Sequence, residues 1–141
     1  MSIEELAVFL IQVFEGYREK AYWDPTGKCW TIGYGHTKTA KFRMQITVEE
    51  AQLLFIEDCK PLLALVNHLP VLEAAALLSF GYNCGSGALR RVLKGEIKVL
   101  EFGNTSGGVR IPGLVARRRL ENALIELSKE LSEALGNQKS I

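Results

Sequence analysis

One short stretch of strand-type sequence, residues 17–37, lies within a chain whose remaining patterns are helical. In this stretch aromatic and β-branched residues alternate with turn-forming residues, and Asp24-Pro25-Thr26-Gly27 is strong turn chemistry. We therefore predict a small β-hairpin, followed by further turns at Gly33 and Gly35. A single small sheet beside several helices gives the chain an α+β layout.

Two capping boxes predict where helices begin on either side of the hairpin. Ser2 with Glu5 opens a helix that ends at residue 15, and Thr47 with Glu50 opens a second helix. Pro61 is expected to kink or interrupt that second helix, because proline lacks the backbone N–H that a helix needs. Further helices are predicted over residues 71–82, 88–94, 97–102 and 114–135, with loops over 83–87 and 104–108.

The length of the chain, 141 residues, corresponds to one domain. No repeat, low-complexity segment or flexible linker divides the sequence. We predict a single domain over residues 1–141, in which residues 16–46 form a β-hairpin lobe and residues 47–66 form a connecting helix. The helical lobe is expected to combine residues 1–15 with residues 67–141.

Charge and hydrophobicity exclude several classes of protein. Apolar residues make up 48% of the chain and charged residues 23%, which excludes a disordered chain. A net charge of +1 provides no large electrostatic footprint, so we expect no nucleic-acid partner. The longest uncharged run, residues 74–89, is shorter than the roughly 20 apolar residues of a spanning helix, so we expect no stable membrane insertion. The N-terminus carries Glu4 and Glu5 where a signal peptide would be basic, so we expect the protein to be retained in the cytosol.

Cysteine usage indicates neither a metal site nor a disulfide framework. Cys29, Cys59 and Cys84 are an odd number of residues at wide spacing. We expect three free thiols that behave as small apolar side chains, and no metal ion.

The first 37 residues contain the arrangement most suited to chemistry. Glu15 ends the first helix, Asp24 lies in the hairpin turn and Thr31 lies on the returning strand. Two carboxyl groups that face a cleft suit glycoside hydrolysis, in which one protonates the leaving oxygen and the other acts on the opposite face of the sugar. Taken singly, each residue also fits a structural role in a helix end, an Asx turn or a strand.

The segment EGYREKAYWDPTGKCWTIGYGHT, residues 15–37, resembles the signature of the phage-type lysozymes, the endolysins of glycoside hydrolase family 24. Glu15, Asp24 and Thr31 match the family pattern E-x8-D/C-x5-T, with one extra residue between Asp24 and Thr31. The segments TVEEAQLLFIED, SFGYNCGSGAL and GLVARRRLENAL resemble later parts of the family. The resemblance therefore covers nearly the whole chain.

This resemblance implies a lysozyme-like α+β fold, with a cleft between a small N-terminal sheet lobe and a larger helical C-terminal lobe. It implies hydrolysis of the β-1,4 bond between N-acetylmuramic acid and N-acetylglucosamine in bacterial peptidoglycan, without a cofactor or metal. Glu15 would be the general acid, Asp24 would stay ionised, and Thr31 would position the attacking water. A hydroxyl that holds such a water leads us to expect an inverting enzyme.

Four further residues are predicted to complete the site. Asn83 is expected at the cleft, where an amide binds sugar hydroxyls or the N-acetyl group. Arg117 is expected to contact Glu15 and to contribute to substrate binding. His36 and Asp58 are expected to form an ion pair that ties the two lobes together.

Two other functions stay open on the sequence alone. One is a transglycosylase that cleaves the same bond and leaves an anhydro-sugar, and the other is a non-catalytic peptidoglycan-binding module. We expect a monomer that acts on glycan strands. The resemblance and the lack of a leader imply accumulation in the bacterial host cytoplasm and access to the periplasm and wall through a holin-type pore.

Overall fold

The computed structural model describes residues 2–106 and 108–139. In chain order these residues form α1 (Ile3–Glu15), β1 (Arg18–Asp24), β2 (Cys29–Gly33), α2 (Val48–Val66), α3 (Val71–Cys84), α4 (Ser86–Leu93), a 3-10 turn (Val99–Glu101), β3 (Thr105–Ser106), β4 (Val109–Arg110) and α5 (Pro112–Lys139). Strand β1 pairs with β2 and β3 pairs with β4, each antiparallel. The predicted α+β class is confirmed.

Helix α1 begins and ends where its local chemistry predicts. The Glu5 N–H donates to Ser2 Oγ at 3.1 Å, and the Ser2 N–H donates to Glu5 Oε2 at 2.8 Å. Gly16 ends the helix with a φ of 67°, a conformation that glycine adopts without strain. Glu15 is therefore held at the last position of α1, directly before the hairpin.

The β1–β2 hairpin has a register that decides which residues share a face. The paired positions near the turn are Tyr22 with Thr31, Trp23 with Trp30, and Asp24 with Cys29. Directly paired residues lie on the same face, as do residues two apart on one strand. Asp24 therefore shares a face with Tyr22, and so also with Thr31, the partner of Tyr22. The 4.0 Å contact between Cys29 Sγ and Thr31 Oγ1 lies on this face.

Helix α2 is continuous through Pro61, so of the two predicted effects an interruption is wrong, and a kink stays a prediction. The proline removes a hydrogen bond to the carbonyl of Glu57, one turn earlier. Both residues are on the exposed face of the helix, where water can satisfy that carbonyl, while Leu62 and Val66 are buried in the core. Packing of the buried face outweighs the lost bond.

The predicted loop over residues 83–87 is also wrong. Helix α3 continues to Cys84 and α4 begins at Ser86, so Gly85 alone separates them, with a φ of 95°. The Gly85 N–H still donates to the carbonyl of Gly81 at 2.8 Å. A single glycine with a positive φ makes the turn for which the composition suggested a five-residue loop.

Three smaller differences lie nearer the C-terminus. The helix predicted over 97–102 is one 3-10 turn. The predicted loop over 104–108 contains strand β3, which pairs with β4 just beyond it, and residue 107 lies outside the described residues. The last helix begins at Pro112, which suits the first turn of a helix. Two-residue strands are too short to produce an alternating pattern in the sequence.

Helix α3 is the centre of the core, and α1, α2, α4 and α5 all pack against it. Its residues 74–81 are all buried. Gly81 is required for this packing, because a Cβ there would lie 2.8 Å from Leu89 Cδ2 and 3.0 Å from Leu62 Cδ2. Across residues 2–106 and 108–139, no helix is both long and apolar enough to cross a membrane.

The cysteines are free thiols. Burial raises the pKa of Cys59 to about 12, and the neighbouring Asp58 carboxylate adds to the rise. Burial also raises the pKa of Cys84, although the Arg118 guanidinium opposes the shift. Both thiols therefore remain protonated at neutral pH.

Candidate active site

Glu15 contacts a buried arginine, as the sequence predicts. Arg117 Nη1 donates to Glu15 Oε1 at 2.7 Å. The Glu15 side chain is 23% exposed, whereas that of Arg117 is 4% exposed. The ring of Phe14 lies 5.1 Å from the Arg117 guanidinium carbon. The carboxyl group therefore reaches solvent on one side and is held by a cation on the other.

The turn after β2 closes over the second oxygen of Glu15. Gly35 has a φ of 92°, and a Cβ at this position would lie 3.3 Å from Glu15 Oε2. Tyr82 supports the turn, because its hydroxyl donates to the carbonyl of Tyr34 at 2.6 Å. Burial raises the pKa of Tyr82, and the nearby Asp58 and Glu15 carboxylates raise it further. A surface groove of about 300 Å³ adjoins Gly35 and Tyr82.

Asp24 and Thr31 lie on the hairpin near this cluster. Asp24 Oδ1 accepts a hydrogen bond from the Thr26 N–H at 2.9 Å, which is an Asx turn. Thr31 is 5% exposed. Burial raises the pKa of Tyr22, with Asp24 and then Glu15 adding to the rise and Arg18 opposing it. The Tyr22 hydroxyl therefore lies in the field of both carboxyl groups, although no ion pair joins Asp24 to another described residue.

A buried network lies behind Arg117. Arg117 Nη2 donates to the carbonyl of Ser79 at 3.0 Å, and its Nε lies 3.4 Å from Glu121 Oε2. Arg118 Nη2 donates to Glu121 Oε2 at 3.0 Å, and Arg118 Nε lies 2.6 Å from Glu121 Oε1. Ser79 Oγ donates to Glu121 Oε2 at 2.6 Å. One carboxylate thus binds two guanidinium groups, of which one also binds Glu15.

The sequence prediction missed Glu121, Ser79 and the burial of Arg118. The side chains of Arg118 and Glu121 are each 1% exposed, whereas Arg119 is exposed. Burial raises the pKa of Glu121, while Arg118, Ser79 and Arg117 all lower it. The sequence signal for this network was that Arg117 and Glu121 lie four residues apart on a predicted helix. Arginine and glutamate at this spacing are just as common on solvated helix faces, so the spacing does not indicate burial.

The predicted contact between His36 and Asp58 is present. His36 Nδ1 lies 2.7 Å from Asp58 Oδ2. The Thr39 N–H donates to His36 Nε2 at 3.2 Å, and Thr39 Oγ1 lies 2.6 Å from the same atom. A backbone N–H can only donate, so Nε2 accepts and the proton of the neutral ring lies on Nδ1, toward Asp58. The pair joins the turn after β2 to helix α2.

Asn83 occupies the last turn of α3 and is exposed. Its Oδ1 accepts a weak hydrogen bond from Cys84 Sγ at 3.8 Å. Its chain neighbour Tyr82 lines the groove described above, as does Gly85 two residues on. A role for Asn83 in binding stays a prediction.

The chemistry open to this cluster is proton transfer by carboxyl groups beside a groove. Glu15 is the member held against a cation and still reached by solvent. Among the described ranges, no group of three or more His, Cys, Asp or Glu side chains is arranged to hold a metal ion.

A family model described as Phage lysozyme matches residues 12–121. The chain belongs to the phage lysozyme family. The matched region begins within α1 and ends at Glu121, so it contains Glu15, Asp24, Thr31 and Arg117. The resemblance recognised in the sequence is therefore confirmed at the level of the family.

Relatives of this phage lysozyme family member include two endolysins. The endolysin of Bacillus phage B103 is 36% identical over 142 residues, which cover 88% of this chain and 54% of that protein. The endolysin of Acyrthosiphon pisum secondary endosymbiont phage 1 is 34% identical over 147 residues, which cover 89% of this chain and 99% of that protein. The chain thus spans about half the length of the first relative and nearly all of the second.

A solved structure is similar over most of its length. The muramidase domain of SpmX from Asticaccaulis excentricus has a TM-score of 0.72 and 32% identity, covering 88% of this chain and 97% of that one. The arrangement of helices with a small sheet is therefore that of a lysozyme-like fold.

Proposed function

We propose that this member of the phage lysozyme family is an endolysin. It hydrolyses the β-1,4 bond between N-acetylmuramic acid and N-acetylglucosamine in bacterial peptidoglycan. The observation that carries the proposal is the Glu15 carboxyl group, held by Arg117 beside a groove and next to the hairpin of Asp24 and Thr31. The names of the similar proteins, two phage endolysins and a muramidase domain, support the same reaction.

Glu15 is the general acid in this proposal. It lies at the C-terminal end of α1, where the partial negative charge of the helix favours a protonated carboxyl group. The contact with Arg117 opposes this, because a nearby cation favours the ionised form. A sugar that enters the groove and loosens the ion pair would therefore shift Glu15 toward the protonated state that donates to the glycosidic oxygen.

Asp24 and Thr31 act on the opposite side of the bond. The hairpin register places both on one face, so a water molecule can be held between the carboxylate and the hydroxyl. A water-mediated attack inverts the anomeric centre and needs carboxyl groups roughly 6.5–9.5 Å apart. We propose inversion for this reason, with Asp24 activating the water and Thr31 orienting it.

Two further side chains have roles in this proposal, Asn83 by binding the substrate and Arg117 by orienting Glu15. Asn83 presents an exposed amide beside the groove, where it would bind a sugar hydroxyl or the N-acetyl carbonyl. Arg117 acts indirectly, since its buried guanidinium orients Glu15 toward the sugar.

The test is the replacement Glu15→Gln, which keeps the shape and removes the acid. Lysis of permeabilised Gram-negative cells, followed as loss of turbidity, should fall by at least about 10²-fold, the usual contribution of general acid catalysis. Glu130→Gln, which removes an exposed carboxyl group from α5, is the matched control and should retain full activity. Near wild-type lysis by a folded Glu15→Gln protein would overturn the assignment.

The mass of the released fragments separates hydrolysis from transglycosylation. Hydrolysis adds one water to each cleaved bond, whereas an anhydro-sugar product lacks it. Anhydro products would replace the proposal by a transglycosylase, and wild-type protein that binds peptidoglycan without cleaving it would replace it by a binding module.

The phage origin of the two endolysin relatives supports a route to the wall. We propose that the protein accumulates as a monomer in the bacterial host cytoplasm and reaches the periplasm and wall through a holin-type pore. Expression in a bacterial host should cause lysis only when a pore-forming protein or another permeabilising agent is supplied. Lysis without such an agent would contradict the route.

A further inference from the structure

We propose that Glu121 is a positioning residue that controls the protonation of Glu15 by sharing the Arg117 guanidinium with it. The inference rests on the proposed role of Glu15 as the acid. Glu121 itself does not touch substrate, because its side chain is 1% exposed. It acts through Arg117, which contacts both carboxyl groups.

The Arg117 guanidinium lies between the two acids. Its Nη1 donates to Glu15 Oε1 at 2.7 Å, and its Nε lies 3.4 Å from Glu121 Oε2. A guanidinium carries one delocalised positive charge, so two ionised carboxylates must divide it. The positive charge that acts on Glu15 is therefore smaller when Glu121 is ionised.

The hydrogen-bond and ion-pair partners of Glu121 favour its ionised form. Arg118 contacts both of its oxygens, with Nε 2.6 Å from Oε1 and Nη2 3.0 Å from Oε2. Ser79 Oγ donates to Oε2 at 2.6 Å. Burial opposes these contacts by raising the pKa of Glu121. Hydrogen bonds from charged donors stabilise a carboxylate strongly, so we assign Glu121 a negative charge at neutral pH.

The two carboxyl groups differ in their access to solvent. The Glu15 side chain is 23% exposed and lies against Gly35, which lines the groove, whereas the Glu121 side chain is 1% exposed where α5 packs on α3. Glu121 therefore remains bound to the arginines while Glu15 can change its partner. This asymmetry lets one acid serve the reaction while the other sets its environment.

Other polar and titratable groups also surround this pair of acids. Tyr22 from the hairpin and Tyr82 from α3 interact with Glu15, and Ser79 and Cys84 from α3 interact with Glu121, while Arg18, Asp24, Asp58 and Cys59 act on the two tyrosines. None of them contacts the Arg117 guanidinium except Ser79, so replacing Glu121 changes the charge on that guanidinium most directly.

The variant Glu121→Gln tests the proposal through the pH profile of activity. Without the second carboxylate, the whole charge of Arg117 acts on Glu15 and favours its ionised form, which cannot donate a proton. In a plot of kcat/KM against pH, the alkaline limb is the fall in kcat/KM at high pH. This limb should move to lower pH by at least about one pH unit. Glu126→Gln removes an exposed carboxyl group from the same helix and should leave the limb in place. A uniform loss of rate without a shift would show a merely structural role.

NMR titration of the labelled glutamate carboxyl carbons provides a second, independent readout. In the wild-type protein Glu121 should be ionised at pH 7, and a protonated Glu121 would overturn the proposal whether or not the variant folds. In Glu121→Gln the Glu15 carboxyl should titrate at lower pH than in the wild type. An unchanged Glu15 titration would also overturn it.

The failure of this inference is distinguishable from that of the proposed function. If Glu15→Gln retained full lysis, the acid would be elsewhere, and the proposed function of Glu15 would fail. The NMR titration would still decide whether Glu121 controls the Glu15 carboxyl group. In the opposite case, Glu15→Gln is inactive while Glu121→Gln shifts neither the alkaline limb of the pH profile nor the titration of the Glu15 carboxyl group. In that case the positioning role of Glu121 alone would fail.

Discussion

Arg117 and Arg119, two arginines of the run 117–119, form a matched pair for measuring how a buried charge affects the free energy of unfolding. Arg117 has 4% of its side chain exposed, whereas Arg119 is exposed two residues later on the same helix. Replacing either by methionine removes one positive charge and keeps an unbranched side chain. The two variants therefore differ in the contacts that are lost.

The magnitude follows from those contacts. Arg117→Met removes the ion pair with Glu15, the contact with Glu121 and the bond to the Ser79 carbonyl. Breaking a buried ion pair by removing one partner costs about 3–5 kcal/mol. Glu121 keeps Arg118, and Glu15 is 23% exposed and partly hydrated, so we expect the low end, about 3 kcal/mol. Arg119→Met should stay within about 0.5 kcal/mol of the wild type.

Urea denaturation followed by circular dichroism measures both free energies of unfolding. A loss of about 3 kcal/mol corresponds to a fall in Tm of about 10 °C for a chain of this length. Equal stability of the two variants would refute the reasoning, because it would mean that the contacts of Arg117 add nothing beyond those of a solvated arginine.

Two further predictions concern the mechanism and the joint between the hairpin and α2. NMR of the first-formed product should show the α-anomer, because attack by water inverts the β-linked sugar, and the β-anomer appearing first would mean retention. Asp58→Asn keeps a neutral acceptor for His36 Nδ1 but removes the negative charge, so urea denaturation should show a free energy of unfolding lower by about 1–2 kcal/mol. The control Glu57→Gln changes an exposed neighbouring side chain and should have little effect.

Features that depend on a few neighbouring residues were predictable from the sequence. The capping boxes of Ser2 with Glu5 and Thr47 with Glu50 begin helices where predicted, because the chemistry lies within one turn. The Pro61 interruption was wrong because the buried face of α2 decides its continuity. The loop over residues 83–87 was wrong because one glycine suffices to separate two packed helices.

The site shows the same division between local and distant causes. The contact of Glu15 with Arg117 was predicted from the resemblance of two separate segments to a family, and local patterning alone gave no reason for it. Glu121 was missed because an arginine and a glutamate four residues apart look the same on a solvated helix and on a buried one. Only the packing of α5 against α3 distinguishes the two cases.

The ion pair between Glu15 and Arg117 joins residues 102 positions apart in the chain. Helices α1 and α5 both pack on α3, so α3 is the template on which the two ends of the sequence meet. During synthesis on a ribosome, Glu15 emerges early and remains without its cation until α5 has been made and docked. The Glu15–Arg117 ion pair therefore forms late in the folding of each molecule, and the proposed lytic activity should appear only after α5 has docked on α3.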